Sequence, residues 1–156
     1  MNFLQDPIFW SYFVFIVIII LAQVSIMVSS ANWYKGINQP SLQPPPWVFT
    51  VVWTIIYLLL LYSVYQATKL MKSEWTLLYI SFIINLFLNL IWTTTFFGQH
   101  NIKGGLFVII LLIISTIELM VVIYRISPVL SLCLVPYLIW LFVALYLNYQ
   151  TLILNP

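Results

Sequence analysis

Polar positions along this chain gather into four short clusters, and between and around them lie five apolar runs, near residues 8–30, 46–68, 75–97, 104–124 and 129–152. A helix needs about 20 apolar residues to cross a ~30 Å hydrocarbon core, and each run meets that length. Membrane β-strands would instead alternate in polarity over ~10-residue stretches, a pattern missing here. Lipid offers no partners for backbone groups, so the runs must satisfy their own and are expected to be helices. The breaks have chemical causes. Residues 32–46 hold Gly36, Pro40 and the triplet Pro44, Pro45 and Pro46, which lack the N–H groups a helical ladder requires. Lys69, Lys72 and Glu74 mark the second break; Gly98, His100, Asn101, Lys103 and Gly104 the third; Arg125 and Pro128 the fourth. The pattern therefore predicts an all-α integral membrane protein, a five transmembrane helix bundle forming one domain over residues 1–156. Every connection except the first is short, so consecutive helices are expected to be antiparallel neighbours.

Composition agrees. Hydrophobic residues make up 64% of the 156 positions and charged residues 5%, against about 25% charged in a soluble domain. Eight ionised side chains cannot clothe a soluble globule of this length, but they suffice for the ends of a bundle whose sides face lipid. A net charge of +2, without Lys or Arg clusters, excludes a nucleic-acid surface. The lone Cys133 permits no intrachain disulfide. The first run exceeds the 7–15 residues of a signal-peptide core and follows Asp6 rather than a basic segment. It is expected to be a span, although Ser29, Ser30 and Ala31 resemble a cleavage site. Lys69, Lys72 and Arg125 on one side, against Lys35 and Lys103 on the other, weakly place the N-terminus in the cytoplasm.

Seven tryptophans and ten tyrosines are more than the spans need. Trp10, Trp47 and Trp75 stand at span ends, where indoles settle at the headgroup level. Trp53, Trp92 and Trp140 lie inside spans. At 1.5 Å per residue, Trp53 lies roughly 10 Å below the far surface, Asn89 about 12 Å, Trp92 about 8 Å, Ala144 about 12 Å and Trp140 about 18 Å. Antiparallel threading thus brings the second, third and fifth spans to a common level, beneath the first loop with Trp33 and Tyr34. Spacing agrees: Asn85 and Asn89 share a helix face with Trp92 nearby, Trp53 shares one with Tyr57, and Pro136, Trp140, Ala144 and Asn148 form a third stripe. Two readings stay open at this point. Small residues and amides are ordinary interhelical packing devices, the reading that spacing alone favours, and the same stripes could also line a ligand pocket.

Trp33-Tyr34, Pro40, Pro44-Pro45-Pro46-Trp47-Val48-Phe49 and Trp53-Thr54-x-x-Tyr57 together resemble the first-loop and second-helix signature of the TspO/MBR family, the tryptophan-rich sensory and translocator proteins. Asn85-x-x-x-Asn89-x-x-Trp92 followed by Phe96-Phe97-Gly98 resembles that family's third-helix motif. Pro136-Tyr137-x-x-Trp140-x-x-x-Ala144-x-x-Leu147-Asn148 resembles its fifth, and Asn155 its terminal one. The resemblance runs from 33 to 155 in order and spacing. It implies a bundle that often forms a homodimer and binds porphyrins, or in some members sterols or drugs, beneath the first loop. By position, Trp53, Asn89, Trp140 and Ala144 would line that pocket, with Phe49, Tyr57 and Trp92 beside them, and Trp33, Tyr34, Pro40 and Pro44 would belong to its lid. Two departures stand out. No Lys or Arg follows Tyr146 or Tyr149, so the sterol motif of animal members is not supported. Glu118 sits inside the fourth span, where a carboxylate is costly and points to function by default, unless it leans toward Arg125 two turns away.

A porphyrin is a flat apolar ring with acidic edges, suited to stacked indoles and phenols, with Asn amides as donors to its carbonyls or carboxylates. No cofactor is required by this reading; protoporphyrin IX is the expected ligand, and the lipid bilayer and a second copy the expected partners. Haem redox chemistry needs an axial ligand. His100, in a loop beside Gly98, reads as solvated, and Cys133 as packing, so no metal site is expected. Neither a Ser-His-Asp set nor paired carboxylates are present to suggest hydrolysis. Three functions follow: a membrane protein that binds and senses or handles tetrapyrroles; light- and oxygen-dependent porphyrin breakdown, implied by the resemblance, for which Trp53 and Trp140 are the catalytic candidates; and a transporter of porphyrin or sterol, for which no inverted repeat speaks.

Overall fold

The computed structural model describes residues 5–71 and 76–156, so Lys72, Glu74 and Trp75, named above for the second break and the aromatic belt, lie outside the described residues. Among the described residues five helices are long and apolar enough to cross a membrane. Helix α1 (Pro7–Ser29) starts on Pro7 with Asp6 as its cap, whose carboxylate accepts from the Ile8 N–H at 3.0 Å. Proline suits this first helical position because that N–H has no intrahelical partner anyway, and the Asp oxygen satisfies one of the remaining orphan donors. Helix α3 (Pro46–Leu70) follows the same logic, with Pro45 extended before it.

Three features depart from the sequence expectation. The first loop opens with a short helix, α2 (Ala31–Gly36), which carries Trp33 and Tyr34; only from Ile37 onward does the proline-rich stretch prevent helix. The third span is α4 (Thr76–Thr93) continued by a five-residue π turn, Thr94–Gly98. Such wide turns insert a residue and re-aim the side chains beyond them. The fifth span is divided into α6 (Pro128–Leu132) and α7 (Val135–Leu154). Pro136 lacks the N–H that would reach back one turn, and its ring crowds the carbonyl there, so the ladder breaks at Cys133 and Leu134. Helix α5 (Ile102–Tyr124) is uninterrupted and capped by Asn101, which accepts from Gly104 N–H at 2.8 Å.

Packing follows chain order only in part. Helix α4 lies along α5, and α5 along α7, as short connections require, whereas α3 and α4 barely touch because α1 sits against both. Tyr12 of α1 shows how. Its ring meets Phe82 of α4 edge-on at 5.2 Å, and its hydroxyl lies 2.9 Å from Thr68 Oγ1 of α3. Thr68 spends its own proton on the Val64 carbonyl, so Tyr12 is the donor. One buried cluster joins α1, α3, α4 and the α5–α6 corner around Leu60, Val64, Phe82 and Leu119. The other joins α3, α5 and α7 around Ile56, Leu112, Tyr137 and Trp140. Leu, Ile, Val and Phe elsewhere on the spans face outward, as lipid-facing sides should. Trp10 and Trp47 also project from the bundle.

Candidate functional site

Beneath the far end of the bundle, one hydrogen-bonded network ties all five spans. Tyr57 of α3 donates to Gln23 Oε1 of α1 at 2.6 Å. The Gln23 amide donates to Asn89 Oδ1 of α4 and, at 3.1 Å, to Thr93 Oγ1. Asn89 Nδ2 donates to the Tyr137 hydroxyl of α7 at 3.1 Å, Tyr137 donates to Asn85 Oδ1 at 3.1 Å, and Asn85 Nδ2 reaches Thr116 Oγ1 of α5 at 2.9 Å. Gln23, Asn85, Asn89 and Tyr137 are buried. A polar group in this apolar setting is expensive unless paired, and each here finds its partner on another helix. The network therefore fixes the helices' mutual register.

Above the network lies an aromatic layer. Trp53 stacks on Tyr57 with centroids 5.6 Å apart and approaches Tyr137 edge-on at 6.0 Å; Phe49 meets Trp140 edge-on at 5.4 Å. Trp140 is nine-tenths buried, yet its indole Nε1–H has no hydrogen-bond partner among the described residues. Next to Phe49 opens a cleft of about 30 Å³, walled by Tyr34 of α2, Trp92 of α4, and Phe96 and Phe97 of the π turn. Ala144, Leu147, Asn148 and Thr151 of α7 close its other side. Gly105 makes this wall possible: a Cβ there would lie 3.0 Å from Asn148 Oδ1 and 3.1 Å from Phe96 Cβ. Asn148 in turn accepts from the Trp92 indole at 3.3 Å and donates to the Ile102 carbonyl at 2.9 Å.

The lid is α2 with the segment after it. Tyr34 rests on Phe96 and Phe97, with centroids 6.2 and 5.2 Å away, and its hydroxyl accepts from Gln43 Nε2 at 2.7 Å. Burial pushes the Tyr34 phenol above its ordinary pKa, so it stays a neutral hydroxyl at physiological pH. Trp33 stacks on His100, centroids 4.4 Å apart and planes 13° from parallel. At the lid's far end, Asn38 and the Asn155 side chain exchange bonds: Asn38 N–H to Oδ1 at 2.9 Å and Asn155 Nδ2 to the Asn38 carbonyl at 3.0 Å.

Of the residues singled out in the sequence, Tyr34, Phe49, Trp92 and Ala144 line the cleft. Trp53, Tyr57 and Trp140 form the aromatic layer beside it, and Asn89 belongs to the hydrogen-bonded network. Asn89 is committed on both its oxygen and its nitrogen to protein partners, so the polar donor facing the aromatic layer is the Trp140 indole, not the amide. Pro40, buried, and Pro44, half-buried, belong to the lid segment but do not wall the cleft. Pro136 is exposed, and the inward stripe of α7 runs instead through Tyr137, Trp140, Leu141 and Ala144. His100 is exposed, as a loop histidine should be, but one ring face is covered by Trp33. Cys133 is half-buried, its thiol 3.5 Å from the Val129 carbonyl. Glu118 accepts from Ser81 Oγ at 2.8 Å rather than pairing with Arg125; the ion pair among the described residues joins Lys69 to Asp6. Gln23, Thr93, Thr116 and Tyr137 of the network and Phe96, Phe97, Leu147, Asn148 and Thr151 of the cleft wall were not among the residues singled out for the site. Gln23 carried a signal, being a lone amide in phase with Tyr12, Ile16 and Ile19 on the first span. A larger groove of about 490 Å³ between α1 and α4, near Pro7, Trp10 and Tyr79, contains none of the predicted site residues.

With this geometry in view, the likenesses to known proteins are coherent. Residues 11–154 match the model of the TspO/MBR family. The chain is 40% identical to the tryptophan-rich protein TspO of Chlorobaculum tepidum over 129 residues, covering 81% of this chain and 82% of that one. It is 35% identical to protein CrtK of Rhodobacter capsulatus over 130 residues, 82% and 81% of the two chains. To the human translocator protein it is 32% identical over 121 residues, 76% of this chain and 72% of that one. The chain belongs to the TspO/MBR family of multi-pass membrane proteins.

Proposed function

We propose that this protein binds a tetrapyrrole of the porphyrin type in the aromatic layer beneath the α2 lid, and senses or handles it in the membrane. The observation that carries the reading is the Trp140 indole N–H, buried among Phe49, Trp53 and Tyr137 with no acceptor of its own. A buried donor left unpaired costs about 1–3 kcal/mol, and a ligand carbonyl or carboxylate would relieve that cost. The surrounding rings offer faces for a flat macrocycle, each offset aromatic pair adding about 0.5–1.5 kcal/mol beyond the area buried. Ligand pockets usually enclose about 300–1,000 Å³, so a cleft of about 30 Å³ has to widen, with the lid lifting and Tyr34 leaving Phe96 and Phe97.

Titration of the purified protein with protoporphyrin IX in darkness tests this directly. Saturable quenching, weakened in Trp140→Phe, is the expected result; its absence overturns the reading. Two oxidisable indoles, Trp53 and Trp140, in the same aromatic layer favour a second reading, light- and oxygen-dependent breakdown of the bound porphyrin. Illumination of the same samples decides it: Soret bleaching lost in Trp53→Phe or Trp140→Phe supports breakdown, and a stable Soret band leaves binding alone. The five-span network plugs the bundle at mid-depth, which speaks against a transport path through one copy.

A further inference from the structure

We propose that the Trp33–His100 stack is a proton-tightened latch that holds the α2 lid over the cleft. Three observations converge on this pair. The rings lie face to face at 4.4 Å, the geometry in which a cation is held by an indole. His100 reaches that position through the turn between the third and fourth spans with a backbone φ of 56°, in the left-handed region that His, Asn and Asp tolerate better than other side chains. The stack is also where α2 is tied to the π-turn end of the bundle: Trp33 touches Phe96 as well as His100, and the adjacent Tyr34 walls the cleft.

Histidine is the side chain whose charge ordinarily changes between pH 5 and 8. In its neutral form the stack is an aromatic contact. Protonated, the ring becomes a cation over the face of Trp33, and the closed lid gains. The groups around it leave the indole as the partner for that charge. The ionisable side chains on the adjoining elements are Lys35 and Tyr34 of α2 and Lys103 at the start of α5; the π turn Thr94–Gly98 contributes none. Asp6 and Glu118, the acidic side chains among the described residues, lie toward the opposite ends of their spans. The ring face of His100 rests on Trp33, so a charge gained by the imidazole bears directly on whether the lid is in place. The sign is fixed: below the imidazole's titration range the lid is held tighter, and above it the lid is freer.

The latch rests on the lid geometry, and its effect on ligand access rests on the porphyrin reading above, so the test separates the two. Backbone amide exchange of residues 31–45, scaled to the intrinsic rate at each pH, is measured at pH 8 and pH 5.5 for the protein in nanodiscs. The lid's protection is expected to rise roughly two- to fivefold at the lower pH, the range of an exposed cation–π contact. His100→Asn, which accepts the same backbone turn, and Trp33→Leu should each abolish that dependence while helix content and α7 exchange stay unchanged. The association rate of protoporphyrin IX should fall by a similar factor in the parent protein and stay flat in both variants. Lid exchange that does not vary with pH, or that varies equally in His100→Asn, overturns the latch. Lid exchange that behaves as expected, with no porphyrin bound at either pH, upholds the latch and overturns the tetrapyrrole reading instead.

Discussion

Trp140 and Gly105 are the two residues on which the site's chemistry and shape turn. Replacing Trp140 with Phe keeps a ring against Phe49 and removes the unpaired donor. Porphyrin affinity in the dark should fall about 3- to 10-fold, the worth of one ordinary hydrogen bond, while the unfolding temperature of the unliganded protein holds or rises. A loss of both together would mean that the indole is packing and nothing more. Gly105 has the opposite character, since it matters for what it lacks. A methyl group there would press on Asn148 and Phe96 at 3.0–3.1 Å. Gly105→Ala should therefore cost about 1–3 kcal/mol of stability through overpacking and should loosen the cleft wall, measurable as a lower thermal midpoint in detergent. Both residues stood in legible places, one a tryptophan inside a span and one a glycine at a helix start. Neither the missing acceptor nor the crowded Cβ can be read from a single strand of sequence.

At the level of helices, the network from Gln23 to Thr116 determines how the spans sit against one another. Asn89 is its centre, accepting from α1 and donating to α7. Asn89→Leu fills similar space but leaves the Gln23 amide with Thr93 alone and takes from the Tyr137 hydroxyl the hydrogen bond that it accepts. We expect a loss of about 1–3 kcal/mol, toward the lower end because bilayer hydrogen bonds are individually modest, seen in denaturation of the purified protein. Unchanged stability would show that the spans are registered by apolar packing alone. The stripes of Asn85, Asn89 and Trp92 were visible from four-residue spacing, and so was their common depth. Their commitment to other helices, rather than to a ligand, was not, because the partners stand 31 to 66 residues away along the chain. The π turn and the break before Pro136 divide the same way: the proline announces itself, whereas the extra residue at Thr94–Gly98 arises from packing Phe96 and Phe97 under the lid.

Across the whole molecule, the two ends of the bundle are held by different devices. At the end opposite the cleft, Asp6 is buried and accepts from Lys69 Nζ at 2.7 Å and from Tyr65 at 3.0 Å, joining the start of α1 to the end of α3. The Lys69 bond is the main reason that the Asp6 carboxyl titrates below its ordinary value, against the opposing pull of burial, with help from the Ile8 N–H and Tyr65. A carboxyl whose pKa is lower in the folded state binds its proton more readily when unfolded. It therefore adds stability above an unfolded value of about 3.9, and that contribution fades as pH drops through the lower folded value. Asp6→Asn should thus melt earlier than the parent at pH 7, and the gap should begin to narrow as pH falls below about 5 and keep narrowing toward the lowered folded value. A gap that persists undiminished at pH 3 would assign the effect to the lost acceptor for the Tyr65 hydroxyl rather than to the carboxylate's charge, since Asn caps the helix as Asp does.

The spans, their lengths, the aromatic excess and the shared depth of three stripes were settled by the sequence alone, because hydropathy and the 1.5 Å helical rise are local quantities. Tertiary structure decided what those residues do. It spent the Asn amides on other helices and left one indole donor free, set Tyr34 against the cleft, and laid Trp33 upon His100. Hydrogen bonds and ring contacts between distant spans depend on rotation and register that hydropathy does not encode, so which polar group stays free for a ligand emerges only when the bundle closes.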